Sequence, residues 1–284
     1  MQLTFQHRKN ITGFYCIIFY LLMLHKWYNG LLFSSIKPFL FKPGYDLLTW
    51  LIMKTGLHQV FINNQTACVL FDVIFYSLPA ILYFILQKSV KASSFVAALM
   101  LVTNFVYALC FTLFPTHGFE GYIAWLLFPV LFMAINLKSF YYLLNGLRYF
   151  SLFYFASAGC WKVIEYGVFN FNQMSGVLLF QHKEYLVSSP NFWYTHFIYW
   201  LINHPAISYI LFVAATAVEL SFVIGFLTKK FDRIFIAAFI LFLLFDVLIM
   251  RIHYWEAMPL LIPLFYSGYQ LPTTNNASII QNSI

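Results

Sequence analysis

Residues 231–250 read FDRIFIAAFILFLLFDVLIM, and this run decides the fold class. Between Arg233 and Asp246 it carries no charge. A helix that crosses about 30 Å of hydrocarbon needs roughly 20 residues, so Phe231–Met250 reads as a membrane span that carries Asp246 near one end. Working outward, Ser208–Leu227 before it is a second such run, with Glu219 inside. Tyr254–Tyr266 after it is short and contains Pro259 and Pro263, which suits an irregular span packed against protein. Toward the N-terminus the same pattern gives Ile11–Leu32, Cys68–Leu86 with Asp72 and Pro79, Ser93–Phe114, Phe119–Leu137 and Phe140–Ala158 with Arg148. Pro115–Thr116–His117–Gly118 turns the third of these into the fourth.

The expectation is therefore an all-α, polytopic transmembrane helical bundle of about eight spans. Composition agrees. Of 284 residues 62% are hydrophobic and 9% charged, whereas soluble chains carry about a quarter charged residues. The 35 Phe, 20 Tyr and 7 Trp suit lipid contact and aromatic belts at the membrane surface. A net charge of +7 is scattered between apolar runs, so it reads as topology control and not as a nucleic-acid surface. Cys16, Cys68, Cys110 and Cys160 sit in or beside apolar runs with no CxxC pair, and read as small buried hydrophobes. His7, Arg8 and Lys9 before the first run resemble a secretory leader. The run outlasts ordinary leader length without a clean small-residue cleavage site, so it is expected to stay as the first span.

The tight loops holding Lys88, Lys91, Lys138, Lys229, Lys230 and Arg233 share a side with Arg8 and Lys9. By the positive-inside rule both termini are expected in the cytoplasm, in a bacterial inner (cell) membrane. Residues 1–267 are expected to form one integral-membrane helical domain. Within it, 159–206 is an interfacial segment with aromatic anchors at Asn191–Tyr194 and Phe197–Trp200. Residues 268–284 form a polar, uncharged, flexible tail.

In a chain with so few charges, the ionisable residues inside or beside spans are the candidates for function. On the expected topology His117, Glu120, Lys162, Glu165, Asp246, Arg251, His253 and Glu256 all fall near outer span ends, as do Asp72, His25 and Lys26. They point to an outward-facing polar cavity, or else to separate solvation at the interface. Lys162 and Glu165, three apart on a helix, share a face. A partly desolvated lysine is a usable general base, and a carboxylate beside it holds or recharges it; the alternative is an interfacial lysine that closes the fifth span beside Trp161 and Tyr166. His117 and Glu120, and His253 and Glu256, repeat one spacing; proton transfer or binding of a substrate head group is the expected use. No HExxH or dense histidine cluster supports a metal site, and none is expected. Arg148 and Glu219 each lie eight residues from the inner ends of their spans, counted from Phe140 and Leu227, or about 12 Å deep. They are expected to form a structural ion pair with each other. GxGxxG, GxxxxGK and GxSxG are absent, so nucleotide binding and serine hydrolysis have no support.

One segment carries a family resemblance. Tyr154–Phe155–Ala156–Ser157–Ala158–Gly159–Cys160–Trp161–Lys162 resembles the YF, AG and lysine segment of the vitamin K-dependent gamma-carboxylase-like membrane proteins, also called the horizontally transferred transmembrane domain family. Thr216–Ala217–Val218–Glu219–Leu220 is similar to that family's glutamate-bearing span, and so is the Phe231–Arg233 entry to the next. The resemblance implies a membrane enzyme with Lys162 as the base that deprotonates a reduced quinone. By their place at the outer span ends, and not from the resemblance, Glu165, His117 and His253 are expected as proton-handling residues, and Glu120, Asp246 and Glu256 as contacts to the substrate. The family's late histidine has no counterpart in the seventh span, where Asp246 stands. Nor does the sequence show the carboxylases' large luminal region, so protein carboxylation itself is not expected. The expected function is an enzyme acting at the outer leaflet on a quinone or other lipid-soluble substrate. A membrane transporter or a noncatalytic assembly partner is the alternative. The expected partners are the bilayer and a lipid-soluble small molecule.

Overall fold

The computed structural model describes residues 2–35, 47–112 and 123–271. Among these the chain is helical with no strand; a single isolated bridge joins Gln2 and Gln270. Among the described residues, five helical stretches are long and apolar enough to cross a membrane: Phe5–Tyr28, Gln65–Leu86, Val90–Ala108, Pro205–Leu227 and Asp232–Met250. They coincide with five of the eight expected spans. The other three positions hold helix of a different kind. Ile123–Phe132 and Trp255–Phe265 are short. Leu137–Ile164 is long, but Asn145, Arg148 and several tyrosines make it less apolar. The chain divides into two compact units.

The first unit comprises residues 1–147, 255–262 and 268–284. Its helices are α1 (Phe5–Tyr28), α2 (Leu47–Thr55), α3 (Leu57–Asn63), α4 (Gln65–Leu86), α5 (Val90–Thr112), α6 (Ile123–Phe132) and the first part of α7 (Leu137–Ile164). Thr4 starts α1 by accepting the His7 backbone N–H, while the His7 ring accepts that of Thr4, so two donors with no partner in the helix are satisfied. The apolar face of α1 packs by aromatic contact: Tyr15 stacks on Phe128, and Phe19 meets Phe75.

Pro79 lies inside α4, and the neighbouring helix repairs the backbone there. The Tyr20 hydroxyl donates to the Tyr76 carbonyl at 2.9 Å and accepts the Ala80 N–H at 3.1 Å. It thus bridges the two groups that an unbroken helix would join directly, which matters where no water can substitute. The buried charges among the described residues of this unit are equally engaged. Arg8 donates to the Phe132 carbonyl, Asp72 accepts from the Phe33 and Ser34 backbone, and Lys26 pairs with Glu256 at 2.7 Å.

The second unit comprises residues 148–254 and 263–267. It holds the rest of α7, α8 (Gln173–Ser188), α9 (Trp193–Asn203), α10 (Pro205–Ser221), α11 (Ile224–Leu227) and α12 (Asp232–Phe245), then a π-helical turn Asp246–Met250 and part of α13 (Leu261–Phe265). The helix that organises it is α7. At 100° per residue, Arg148, Leu152, Phe155, Gly159 and Lys162 fall on one stripe, and α10, α11 and α12 cover it. A Cβ on Gly159 would stand 3.0 Å from the Leu220 backbone nitrogen, and one on Gly225 would stand 2.5 Å from Leu152. The two glycines therefore allow close approach of the chains. Between them Phe155 packs on Phe222, Phe239 and Phe242.

Candidate functional site

Two charge pairs stand at the two ends of the α7 stripe. Arg148 donates through Nε and Nη2 to both oxygens of Asp232, at 2.6 and 2.7 Å, and through Nη2 to the Gly225 and Thr228 carbonyls. Fourteen residues on, about 21 Å along the helix, Lys162 donates to Glu219 Oε1 at 2.7 Å. The expected Arg148–Glu219 pair is thus replaced by two others, for a reason of distance. Gly159 packs against Glu219 and Leu220, so Glu219 lies beside Lys162. Arg148 is eleven residues earlier, about 16 Å away along α7. The sixth span is not one straight helix to Leu227: α10 ends at Ser221 and the chain turns before α11.

Lys162 lies at the wall of a cavity of about 320 Å³. Its ammonium sits 5.6 Å from the ring centres of both Phe212 and Phe242, a setting in which the rings' negative faces favour a cation. Trp161, Phe245, Met174 and Val177 complete most of the apolar lining, and Glu165, Gln173 and Asp246 are its other polar groups. Asp246 is buried, its Oδ2 has no hydrogen-bond partner, and it is close enough to Lys162 and Glu219 to feel both charges. Glu219 Oε2 is also buried without a partner. Buried polar atoms are satisfied as a rule, so two open carboxylate oxygens beside one ammonium mark this place as chemically unfinished. A donor group on a ligand, or a proton, completes it.

Of the residues proposed from sequence, the structure brings Lys162, Glu165 and Asp246 into this cavity and sets Glu219 directly on Lys162. Glu165 is exposed and does not hold Lys162; the three-residue spacing put them on one side, but the buried Glu219 takes the bond. Glu256 belongs to the first unit, where it pairs with Lys26 instead of joining a substrate contact. His253 is exposed and does not line the cavity. His117 and Glu120 lie outside the described residues. Asp232, the partner of Arg148, was missed, although an acidic residue in the first turn of a helix is a recognisable signal.

Also missed were His182 and Tyr194, which hold the π-turn next to Asp246. The His182 Nε2–H donates to the Ile249 carbonyl at 2.8 Å and the Tyr194 hydroxyl to that of Leu248 at 2.9 Å. Burial holds the His182 imidazole below its ordinary value of 6.5, and the Arg251 charge pushes the same way, against the opposing effect of the bond to Ile249. The unfolded chain therefore binds this proton more readily than the folded one. The neutral ring contributes stability above pH 6.5 that is lost as the pH falls below it. The protection factors of the α8 amides, which correct exchange for the fall of its intrinsic rate with pH, are expected to drop on acidification through that range in the wild type and not in His182→Gln. An equal drop in both would remove His182 as the cause.

Compared with known protein families, curated proteins and solved structures, the chain has no match.

Proposed function

We propose that this is an integral membrane protein whose second unit binds a lipid-soluble small molecule in the Lys162 cavity and exchanges a proton with it. The observation that carries the reading is Lys162 itself: an ammonium at the wall of an aromatic cavity, with a buried glutamate behind it. Apolar walls with a few convergent polar groups are what small-molecule sites are made of. Ionisable groups kept at membrane depth are functional candidates by their expense alone.

A reduced quinone meets the requirements. Its flat ring suits Phe212, Phe242 and Trp161, and its hydroxyl has a proton to lose. The balance is simple. Lys162 passes its proton to the Asp246 carboxylate, leaving a neutral amine and a carboxylic acid. The amine then takes the substrate's hydroxyl proton, and the ammonium so formed faces the quinolate oxygen. Glu165, exposed at the cavity, is suited to return the Asp246 proton to water. In this reading the fold has eight spans with both termini in the cytoplasm of a bacterium, the cavity opens at the outer leaflet, and the bilayer delivers the substrate.

Lys162→Arg tests the role, because arginine keeps the charge and a bond to Glu219 yet does not act as a base at neutral pH. A short-chain 1,4-naphthoquinol is added without oxygen to the protein in nanodiscs, and its ionisation to the bound quinolate is followed by stopped-flow absorbance. Ionisation is expected in the wild type and about 10²–10⁴-fold slower in Lys162→Arg. Equal rates in both sink the base assignment; a quinol that does not bind to the wild type sinks the substrate.

A further inference from the structure

The α12 helix passes at Asp246 into a π-helical turn, Asp246–Met250, which ends on Arg251 at φ 52°. The last carbonyls of a helix have no partner within it, and in a membrane no water replaces one. Here the partners are side chains from two other helices: His182 of α8 on the Ile249 carbonyl, and Tyr194 of α9 on the Leu248 carbonyl. The Ile252 N–H closes back onto the Asp246 carbonyl at 3.1 Å. Ile249 and Met250 pack on the cluster of Met174, Leu178 and Ile198, so the end of the turn is held by both bonds and packing.

A π-turn contains one more residue than the α-helical turn it replaces, and one residue is about 100° of rotation. With Leu248–Met250 fixed against α8 and α9, the direction of the Asp246 carboxyl depends on the turn staying open. Closing it to α geometry would swing Asp246 out of register with the α7 stripe. The α8 helix also reaches the cavity directly, through Gln173, Met174 and Val177. One helix thus lines the cavity at its start and pins the π-turn two turns later.

We propose that His182 and Tyr194 are positioning residues: they clasp two successive carbonyls of the π-turn and thereby set where the Asp246 carboxyl stands relative to Lys162 and Glu219. The inference rests on the proton-exchange reading for its functional meaning, but not for its geometry. It gives α8 and α9 a role beyond anchoring at the membrane surface. They hold the open carboxylate that lines the cavity beside Lys162.

The test reads Asp246 directly. Infrared difference spectra of the protein in nanodiscs give the carboxyl or carboxylate bands of Asp246, identified by their loss in Asp246→Asn. In His182→Ala and Tyr194→Phe these bands are expected to shift, with about a tenfold change in the proton affinity they report, the scale of one lost buried hydrogen bond. His182→Gln, which keeps a donor near the Nε2 position, is expected to restore the wild-type bands. If both variants melt earlier while the Asp246 bands stay as in the wild type, the two residues are merely structural and the proposal is overturned. Failure of His182→Gln to restore what His182→Ala shifts overturns the hydrogen-bond basis. Binding of the short-chain naphthoquinol to the wild type is measured beside these spectra. Shifted bands with no quinol binding leave the clasp standing and remove the quinol; quinol binding with unshifted bands does the reverse.

Discussion

Arg148→Met is expected to destabilise the protein by about 3–5 kcal/mol, the range found when one partner of a buried ion pair is removed. The reason is what stays behind. Asp232 and Arg148 are both buried, and the guanidinium is the group that holds the two carboxylate oxygens together with the Gly225 and Thr228 carbonyls. Methionine fills similar volume but leaves a carboxylate and two carbonyls that have lost a common donor, at a place where α11 and α12 are joined. Arg148→Lys is expected to recover only part of the loss, since a point charge cannot repeat a planar fork that bonds a carboxylate in two places. The double variant Arg148→Met, Asp232→Leu removes the stranded charge and is expected to be more stable than Arg148→Met alone. Thermal unfolding in detergent, followed by Trp fluorescence, reads all four proteins. Should Arg148→Met melt within a degree or two of the wild type, the pair does not join these helices in the way described.

How much of this was legible in the sequence depends on whether a feature is local. The apolar runs, their lengths and the charges within them are local, and the five strongest membrane helices fall where hydropathy puts them. The α7 stripe was half legible. Helical spacing alone aligns Arg148, Gly159 and Lys162, and a glycine one turn before a lysine announces a close helix neighbour. Which carboxylate that neighbour brings is not local. Glu219 and Asp232 were both available, and the choice turns on the break after Ser221, which hydropathy does not see because Phe222–Leu227 is as apolar as the helix before it. Pairing of outer span ends across the sequence was the least legible. Glu256 looked like a companion of His253 and instead belongs to the first unit with Lys26. His182 gave a weak signal: it continues the buried α8 row of Met174, Leu178 and Leu186 at four-residue spacing, so a polar group was due to find a buried acceptor there. That the acceptor would be a π-turn carbonyl follows from the fold and from nothing nearby in the chain.

The second large effect concerns the site. Lys162→Met is expected to destabilise by a similar amount, about 3–5 kcal/mol, because it strands a carboxylate rather than because it loses an exposed contact. The asymmetry is in the exposure of the two partners: 29% for the Lys162 side chain and 1% for that of Glu219. Lysine can turn part of its ammonium toward the cavity, whereas Glu219, pressed against the Gly159 step of α7, has nowhere to go. Glu219→Gln is therefore expected to be the milder single change, since the amide keeps the shape and an acceptor for the ammonium. Combined as Lys162→Met, Glu219→Gln, the two are expected to restore part of the stability lost in Lys162→Met, a coupling of about 1–3 kcal/mol in a double-mutant cycle. The same cycle separates folding from function. The double variant has no group at position 162 to exchange a proton, so it should melt above Lys162→Met and yet ionise no quinol. A double variant as unstable as Lys162→Met would mean that Lys162 acts on stability through its packing between Phe212 and Phe242, and that the pair with Glu219 contributes little.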